Sequence, residues 1–246
     1  MTKTLILIPS RMAATRLPGK PLLKINNLSI ISHVFKKAEE ANIGEVVVAT
    51  EDQEVFKDVL KNGGRAILTS REHKTGTDRI FEAYKKLGIK NVDYILNLQG
   101  DEPDINKNDI INLNNFMINH NAEFGTMGAK IKDNKMLNNK NVVKVVVENK
   151  LEENNFPRAL NFTRENLSTD SQNIYHHIGI YSYKMSVLEE FVSLVQTSNE
   201  KKNKLEQLRA LDNKLKINVA LASSSPIGVD TEEDYLAIKK IMEYKI

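Results

Sequence analysis

The sequence of 246 residues contains no cysteine. Disulfide bonds, zinc–thiolate sites and thiol nucleophiles are therefore excluded for these residues, and the absence fits a reducing compartment. A long hydrophobic run is also missing. The first apolar stretch, residues 5–8, is much shorter than the ~18 residues that a membrane span needs, and shorter than the core of a secretory signal. We therefore expect a cytoplasmic protein with no membrane partner.

The sequence has no excess of charge that would indicate a polyanionic partner. Its 35 basic residues are matched by 32 acidic ones, which leaves a net charge of +3. Because both kinds are spread along the chain, we expect no nucleic-acid partner, and any anion-binding site must be local. The length is sufficient for one large α/β domain, or for a domain with a small appendage, with its own core.

The N-terminal part of the sequence alternates between strand-like and helix-like patterns. These patterns predict strands over residues 4–8, 45–49, 65–68 and 93–98, separated by helices over 30–41, 51–60 and 78–87. Such alternation indicates right-handed βαβ crossovers and a mostly parallel, Rossmann-like α/β sheet. Ligands bind these sheets at the carboxyl ends of the strands, so the loops that follow strands are where we expect a site.

After residue 120 the pattern changes to strands with little helix between them. We expect an antiparallel excursion over residues 124–183, which offers a dimerisation surface. Its predicted strands are 124–131, 142–148, 159–163 and 178–183, and its polar connectors, 133–141 and 148–155, are predicted to be solvated loops. Further along, the pattern predicts helices over 185–195, 205–211 and 232–244 and a strand over 217–221.

Three cations follow the first predicted strand, in the segment LILIPSRMAATRLPGKPL: Arg11, Arg16 and Lys20. Phosphate loops that are rich in glycine bind through backbone N–H groups, but this loop has a single glycine, so side-chain charge must supply the binding. Arginine presents a planar fork to phosphate oxygens, and lysine is a compact point charge. The pattern favours a triphosphate site, and the alternative is a solvated basic turn.

Two acidic loops also follow predicted strands. LNLQGDEP places Gln99 and Asp101 after the strand over 93–98, and GVDTEEDY places Asp230 after the strand over 217–221. Loop carboxylates at these positions suit Mg²⁺. For Asp230 the alternative is helix capping, because an acidic first turn follows it.

The five histidines do not form a recognisable metal site. His176 and His177 are adjacent in the chain, and adjacent residues of a strand point to opposite faces, so these two cannot chelate one ion together. For His33, His73 and His120 we expect ordinary surface or core roles.

The ordered set of motifs resembles the 3-deoxy-manno-octulosonate cytidylyltransferase family over nearly the whole length. The motifs are IPSRMAATRLPGKPL, GTDR, LNLQGDEP, NVVKVVVEN, HIGIYSY, LEQLRAL and GVDTEEDY. The resemblance implies a single domain, residues 1–246, with the nucleotidyltransferase type of sheet. It also implies a homodimer and the reaction of CTP with 3-deoxy-D-manno-octulosonate (Kdo) to give CMP-Kdo and pyrophosphate, with Mg²⁺ as cofactor, for lipopolysaccharide synthesis.

The resemblance implies roles for particular residues. Arg11, Arg16, Lys20 and Arg79 would bind the nucleotide, with Lys20, Asp101 and Arg16 as the catalytic set and Asp101 and Asp230 as metal ligands. On the sugar side, the matching positions are Gln99, Arg164, His177, Glu206 and Gln207. Leucines spaced by three in LEQLRAL predict that Glu206 and Gln207 lie at the edge of a buried helical stripe.

This sequence departs from the family pattern near the expected sugar site. The turn before residue 159 is longer, Asn161 and Thr163 replace the usual Tyr and Ser, and Lys184 replaces a common arginine. The alternative acceptors are therefore 8-amino-3,8-dideoxy-Kdo or another 3-deoxy-ulosonic acid. The nearest rival enzyme is a cytidylyltransferase that acts on a sialic-type acid or a phosphorylated alcohol. From another class, a nucleotide-sugar-binding, glycosyltransferase-like module is the alternative.

Overall fold

The computed structural model describes residues 2–13, 16–166 and 173–244. The chain divides into two compact units, one formed by Met1–Ile111 with Pro226–Ile246 and the other by Asn112–Ser225. The single domain over residues 1–246 stays a prediction. Among the helices described, none is long and apolar enough to cross a membrane.

The first unit is built on a parallel sheet. Its elements are β1 (Thr4–Ser10), a 3-10 turn (Lys20–Leu22), β2 (Lys24–Ile25), β3 (Leu28–Ser29), α1 (Ile30–Ala41), β4 (Gly44–Thr50), α2 (Gln53–Lys61), β5 (Ala66–Leu68), α3 (Gly76–Leu87) and β6 (Tyr94–Leu98). In the main sheet of this unit the strand order is β6-β1-β4-β5, with parallel pairing throughout, and β2 and β3 form a separate antiparallel pair. Residues 5–8 of β1 are at most 1% exposed, as expected for a central strand covered on both faces.

The helices of this unit begin where side chains cap them. Ser29 accepts a hydrogen bond from the N–H of Ser32 at the start of α1, and Thr75 accepts one from Asp78 at the start of α3. These contacts satisfy backbone donors that a first helical turn leaves free. The seven predicted elements of this region are all present, with ends shifted by at most two residues.

After α4 (Lys107–Asn119), the second unit contains a mixed sheet and short helices. Its elements are β7 (Phe124–Lys130), α5 (Asn134–Asn138), β8 (Lys144–Val147), β9 (Ala159–Thr163), β10 (Ile174–Lys184), α6 (Met185–Ser193), α7 (Ser198–Asn203), α8 (Gln207–Asp212) and β11 (Asn218–Leu221), and α9 (Glu232–Glu243) then returns to the first unit. β10 pairs antiparallel with β7 and β8, β8 pairs antiparallel with β9, and β11 runs parallel to β7. The predicted α/β fold with an antiparallel excursion is confirmed.

The structure corrects the predicted element pattern at several points. Residues 133–141 are not simply a loop, because Asp133 caps the short helix α5 by accepting from the N–H of Met136. β10 begins at Ile174 rather than at residue 178. Its first residues were not predicted, because two histidines interrupt the apolar pattern there. α4 and α7 were not predicted, because α4 contains five asparagines and α7 contains two, and asparagine is a poor helix former.

Candidate active site

A cleft of about 340 Å³ lies in the first unit at the carboxyl ends of β1 and β6 and the start of α3. Seven of the predicted site residues line it: Arg11, Arg16, Lys20, Arg79, Gln99, Asp101 and Asp230. The structure therefore brings together the cationic loop and both acidic loops that the sequence places after separate strands.

Lys20 contacts one aspartate from each of the two acidic loops. Its side chain is 13% exposed, and Nζ donates to Asp101 Oδ2 at 2.7 Å and to Asp230 Oδ1 at 3.4 Å. Burial disfavours the ammonium, but the two carboxylates outweigh burial and raise the pKa of Lys20 above its ordinary value. The lysine is therefore charged at neutral pH, and both carboxylates approach one cation.

The two acidic loops are also joined through their backbones. The N–H of Val229 donates to the carbonyl of Asp101 at 2.9 Å, so the segment just before Asp230 is fixed to the loop after β6. At the start of α9, Thr231 and Asp234 form a reciprocal capping box. Thr231 therefore caps this helix, and Asp230 is left to face the cleft.

Arg16 and Arg11 are the more accessible cations of the site. Arg16 Nη2 contacts Asp230 Oδ2 at 2.9 Å, with side chains that are 51% and 45% exposed. Exposed pairs of this kind are weak, so a phosphate can displace the carboxylate. Arg11 is exposed and forms no salt bridge with any residue that the structure describes.

The donor set at the end of the cleft fits a hard divalent cation. Asp101 and Asp230 are oxygen ligands from separate loops, and their contact with one ammonium shows that a single cation can sit against both. In the described part of the chain, no group of three or more histidine, aspartate or glutamate side chains could hold a metal. A metal bound here would take its remaining ligands from phosphate and water.

Arg79 forms part of the cleft wall. It is 3% exposed, and Nη1 donates to Thr69 Oγ1 at 2.6 Å and to the carbonyl of Ser70 at 3.2 Å. Its Nη2 pairs with Glu51. Because these partners occupy much of the guanidinium, Arg79 ties β4 and β5 to α3 beside the cleft.

Two glycines of the cleft lie close to Pro9 in β1. A Cβ atom at Gly100 would lie 2.9 Å from the carbonyl oxygen of Pro9, and one at Gly76 would lie 3.2 Å from Pro9 Cγ. The loop after β6 and the start of α3 therefore approach the end of β1 from both sides. Gln99, beside Gly100, lines the same cleft and donates from Nε2 to Asn97 Oδ1 at 3.3 Å.

His73 is a cleft residue that the sequence reasoning missed. It lines the cleft, and its Nε2 contacts Glu82. Burial raises the pKa of Glu82, but hydrogen bonds from Lys86, His73 and the N–H of Ser70 outweigh it and lower that pKa to about 2. His33, by contrast, bonds the carbonyl of Ile25 at 2.8 Å. The sequence feature that could have indicated His73 was its position three residues before the GTDR motif.

The remaining predicted sugar-side residues, Arg164, His177, Glu206 and Gln207, belong to the second unit. Thr126 Oγ1 donates to the carbonyl of Ile180 at 2.7 Å, and it lies 3.0 Å from His177 Nε2. The histidine must therefore donate from Nε2, which makes Nδ1 an acceptor. Burial, with smaller effects from His176 and Arg164, lowers the pKa of His177 to about 3, so the ring is neutral.

Arg164 lies close to a buried lysine. Its Nη1 donates to the carbonyl of Asn141 at 3.0 Å. Lys144, which is fully buried, donates from Nζ to the carbonyls of Asn139 at 2.8 Å and Arg164 at 3.4 Å. Burial and then Arg164 lower the pKa of Lys144. The cations of this region are thus held against main-chain carbonyls.

Gln207, which was predicted to lie at the edge of a buried helical stripe, is itself buried, with 5% exposure. α8 begins only at Gln207, so the first two residues of the expected helix lie before it. Glu206 precedes the helix with a side chain that is 27% exposed. Beside them, Arg209 makes a buried bidentate pair with Glu200 at 2.9 and 2.7 Å, which the sequence reasoning missed because it treated the segment as an apolar stripe.

Residues 5–217 match a family model described as cytidylyltransferase. The 3-deoxy-manno-octulosonate cytidylyltransferase of Afipia carboxidovorans is 43% identical over 240 residues, which cover 97% of this chain and 96% of that protein. The protein of that name from Rhodopseudomonas palustris is 42% identical over 244 residues, 99% of each. A solved CMP:2-keto-3-deoxy-manno-octonic acid synthetase complexed with CTP matches with a TM-score of 0.89 and 32% identity, and both chains are covered completely.

Proposed function

This chain belongs to the 3-deoxy-manno-octulosonate cytidylyltransferase family, and from that premise we propose that it joins CMP from CTP to the anomeric hydroxyl of Kdo and releases pyrophosphate. The observation that carries the proposal is the convergence of Lys20, Asp101 and Asp230 in one cleft. A cation set between two carboxylates suits a reaction that moves negative charge from one phosphate oxygen to another.

The cleft supports binding of the triphosphate at its charged end. Arg11 and Arg16 are exposed forks that can take phosphate oxygens bidentately, and the weak pairing of Arg16 with Asp230 leaves it available. Lys20 has little room to move its charge away from the site, because it is largely buried. In this proposal Arg11 and Arg16 hold the phosphates, and Lys20 faces the phosphate that becomes the leaving group.

We propose Mg²⁺ as the cofactor, held by Asp101 and Asp230. Their oxygen donors and their shared contact with one cation support this assignment. When bound, the ion would neutralise phosphate charge and align the reacting oxygens. With the ion held by the two aspartates, the Lys20 ammonium would donate to phosphate oxygens.

The proposed chemical step is an in-line displacement at phosphorus. The 2-hydroxyl oxygen of the sugar acid forms a bond to the α-phosphorus of CTP, the bond from that phosphorus to the bridging oxygen breaks, and pyrophosphate leaves with the bonding electrons. The proton of that hydroxyl passes to solvent water. Because Lys20 is charged at neutral pH, it stabilises the negative charge that grows on the departing phosphates, and positioning supplies most of the remaining catalysis.

For the acceptor we propose the predicted sugar-side set, with one change of role. Arg164 remains the cation for the sugar carboxylate, because its guanidinium can bind a carboxylate with two parallel hydrogen bonds. His177 is neutral and donates from Nε2 to Thr126, so its Nδ1 accepts a hydrogen bond from a sugar hydroxyl rather than donating one. Gln99, Glu206 and Gln207 supply further polar contacts to hydroxyl groups.

We further propose that the protein is a cytoplasmic homodimer that supplies the activated sugar for lipopolysaccharide synthesis. Leu160, on β9 within the expected dimerisation region, is 60% exposed, and an exposed large apolar side chain supports an interface there. The absence of cysteine supports a reducing compartment such as the cytoplasm. Sedimentation of the wild type and of Leu160→Asp measures the oligomeric state, and a wild-type monomer would refute the homodimer.

Pyrophosphate release tests the proposed function. Purified protein with Mg²⁺ is given each of the four nucleoside triphosphates with Kdo, 8-amino-3,8-dideoxy-Kdo or a sialic-type acid. We expect release with CTP and Kdo. Release with the 8-amino sugar alone would reassign the acceptor. If none of these acids releases pyrophosphate from CTP, the reaction is refuted and a module that only binds a nucleotide sugar is favoured.

A further inference from the structure

Ser10, the last residue of β1, carries a polar atom that the proposed reaction has not used. The residue is 7% exposed and lines the cleft. Its Oγ is buried and has no hydrogen-bond partner among the described residues. Native proteins rarely leave a buried hydroxyl unpaired, because such a group loses its water without a replacement.

The polar groups at the end of β4, beside Ser10 in the sheet, form hydrogen bonds with other partners. Ser10 pairs in register with Thr50, the last residue of β4. Thr50 Oγ1 accepts the N–H of Asp52 at 3.1 Å, and Asp52 Oδ2 accepts the N–H of Met12 at 2.7 Å. These contacts close the end of β4 and the start of the cationic loop without the Ser10 hydroxyl, which is left to the cleft.

The sheet also indicates which part of a nucleotide Ser10 would meet. The register of β1 with β6, the strand before Asp101, stops at Leu7, whereas the register with β4 continues to Ser10. Glu51, the residue after β4, binds Arg79 in the cleft wall. Ser10 thus belongs to the β4 side of the cleft, and the acidic loop that we assign to metal and phosphates follows β6.

We propose that Ser10 Oγ forms a hydrogen bond with the nucleoside part of the bound nucleotide. This inference rests on the proposed function, because it takes CTP as the ligand of the cleft. The hydroxyl both donates and accepts, so it suits the polar edge of a base or a ribose hydroxyl. Ser10 is a binding residue in this account and takes no part in the displacement at phosphorus.

Calorimetric titration of Ser10→Ala with CTP and Mg²⁺ tests the proposal. Loss of one neutral hydrogen bond is expected to raise the Kd for CTP about 3- to 10-fold. Inorganic tripolyphosphate, which has no nucleoside, is expected to bind the variant and the wild type equally. An unchanged Kd for CTP would overturn the proposal, and so would an equal loss of affinity for tripolyphosphate, which would place the contact on the phosphates.

The stability of the free protein separates a binding role from a structural one. Since Ser10 Oγ has no described partner, Ser10→Ala is expected to leave the melting temperature unchanged or higher, while CTP binding weakens. A fall in melting temperature together with weaker CTP binding would overturn the proposal and indicate a structural role. Ser182→Ala is the matched control, because Ser182 Oγ is likewise buried without a described partner but does not line the cleft.

Ser182→Ala is expected to leave the melting temperature unchanged or higher and the Kd for CTP unchanged. If both serine variants lose CTP affinity equally, the effect is not specific to the cleft and the proposal fails. Wild-type protein that binds CTP but releases no pyrophosphate would refute the proposed reaction while leaving this binding test intact. Wild type that does not bind CTP would overturn both.

Discussion

Replacing Lys20 with methionine removes the ammonium that both cleft aspartates contact and keeps a side chain of similar length. In the wild type, Nζ is 2.7 Å from Asp101 Oδ2 and 3.4 Å from Asp230 Oδ1. The variant leaves two carboxylates facing each other without that charge. We expect three measurable consequences, for turnover, stability and metal affinity.

The sizes of the first two follow from the burial of the partners. A charge-assisted contact to a buried lysine is worth more than a surface pair, but Asp101 and Asp230 are 32% and 45% exposed, so solvent screens them. A loss of about 1–2 kcal/mol is expected, or about 2–8 °C in melting temperature for a chain of this size. Loss of a donor aimed at developing charge is expected to lower kcat by about 10²–10³-fold.

Metal affinity moves in the opposite direction. Because the wild-type ammonium competes for the same two carboxylates, free Lys20→Met protein is expected to bind Mn²⁺, a paramagnetic substitute for Mg²⁺, more tightly than the wild type. Electron paramagnetic resonance measures the free ion. Turnover within about 10-fold of the wild type would refute the charge-stabilising role, and weaker Mn²⁺ binding would refute the shared carboxylate site.

The matched control is Lys37→Met. Lys37 lies on α1, and its Nζ contacts Glu40 at 3.2 Å, with side chains that are 35% and 45% exposed. Such pairs contribute only ~0.2–0.5 kcal/mol, so the control should keep its turnover, its melting temperature and its Mn²⁺ affinity. A similar loss of turnover in both variants would show that the effect of the Lys20 substitution is not specific to the cleft.

Three further predictions concern acid, ion pairing and the metal. The pKa of His177 is lowered to about 3 from 6.5, so the unfolded chain binds the proton first. The free energy of unfolding therefore falls as pH drops below about 6.5, by at most ~1.4 kcal/mol per pH unit. Urea denaturation of His177→Gln should show a shallower fall of that free energy from pH 6 to 4, and a fall as steep as in the wild type would contradict the prediction. Arg209→Met should cost ~3–5 kcal/mol because it strands the buried Glu200 carboxylate, whereas adding Glu200→Gln should recover part of that loss; a double variant less stable than the single would argue against the buried pair. Asp101→Asn should reduce Mn²⁺ affinity and turnover by orders of magnitude, while Asp93→Asn, which alters an exposed contact to the N–H of Lys3, should not. Normal Mn²⁺ binding by Asp101→Asn would remove that residue from the metal site.

Local patterns predicted the first unit well because its elements follow strong local rules. The helix over 30–41 is present with the same ends, since its buried residues recur at helical spacing and Ser29 caps it. Loops that follow parallel strands meet at one edge of a sheet, so the approach of Asp101 and Lys20 follows from topology. The sequence order alone thus predicted which loops form the cleft.

The sequence could not predict what depends on particular side-chain partners. Arg79 reads as a free cation until its contacts with Glu51 and Thr69 are seen. Gln207 reads as a surface residue because a helix as short as α8 does not establish a face. The missing partner of Ser10 is likewise invisible in a sequence, since it depends on which neighbours already bond one another.

Pro9, held between Gly76 and Gly100, limits how this cleft can be altered. A methyl group at position 100 would overlap the main-chain oxygen of Pro9, so that site cannot accept a larger residue without a shift of the backbone, and one at position 76 would press on the proline ring. Libraries built to change nucleotide preference should keep both positions fixed. The freedom to redesign lies in the exposed side chains around the opening, where replacements do not move the backbone.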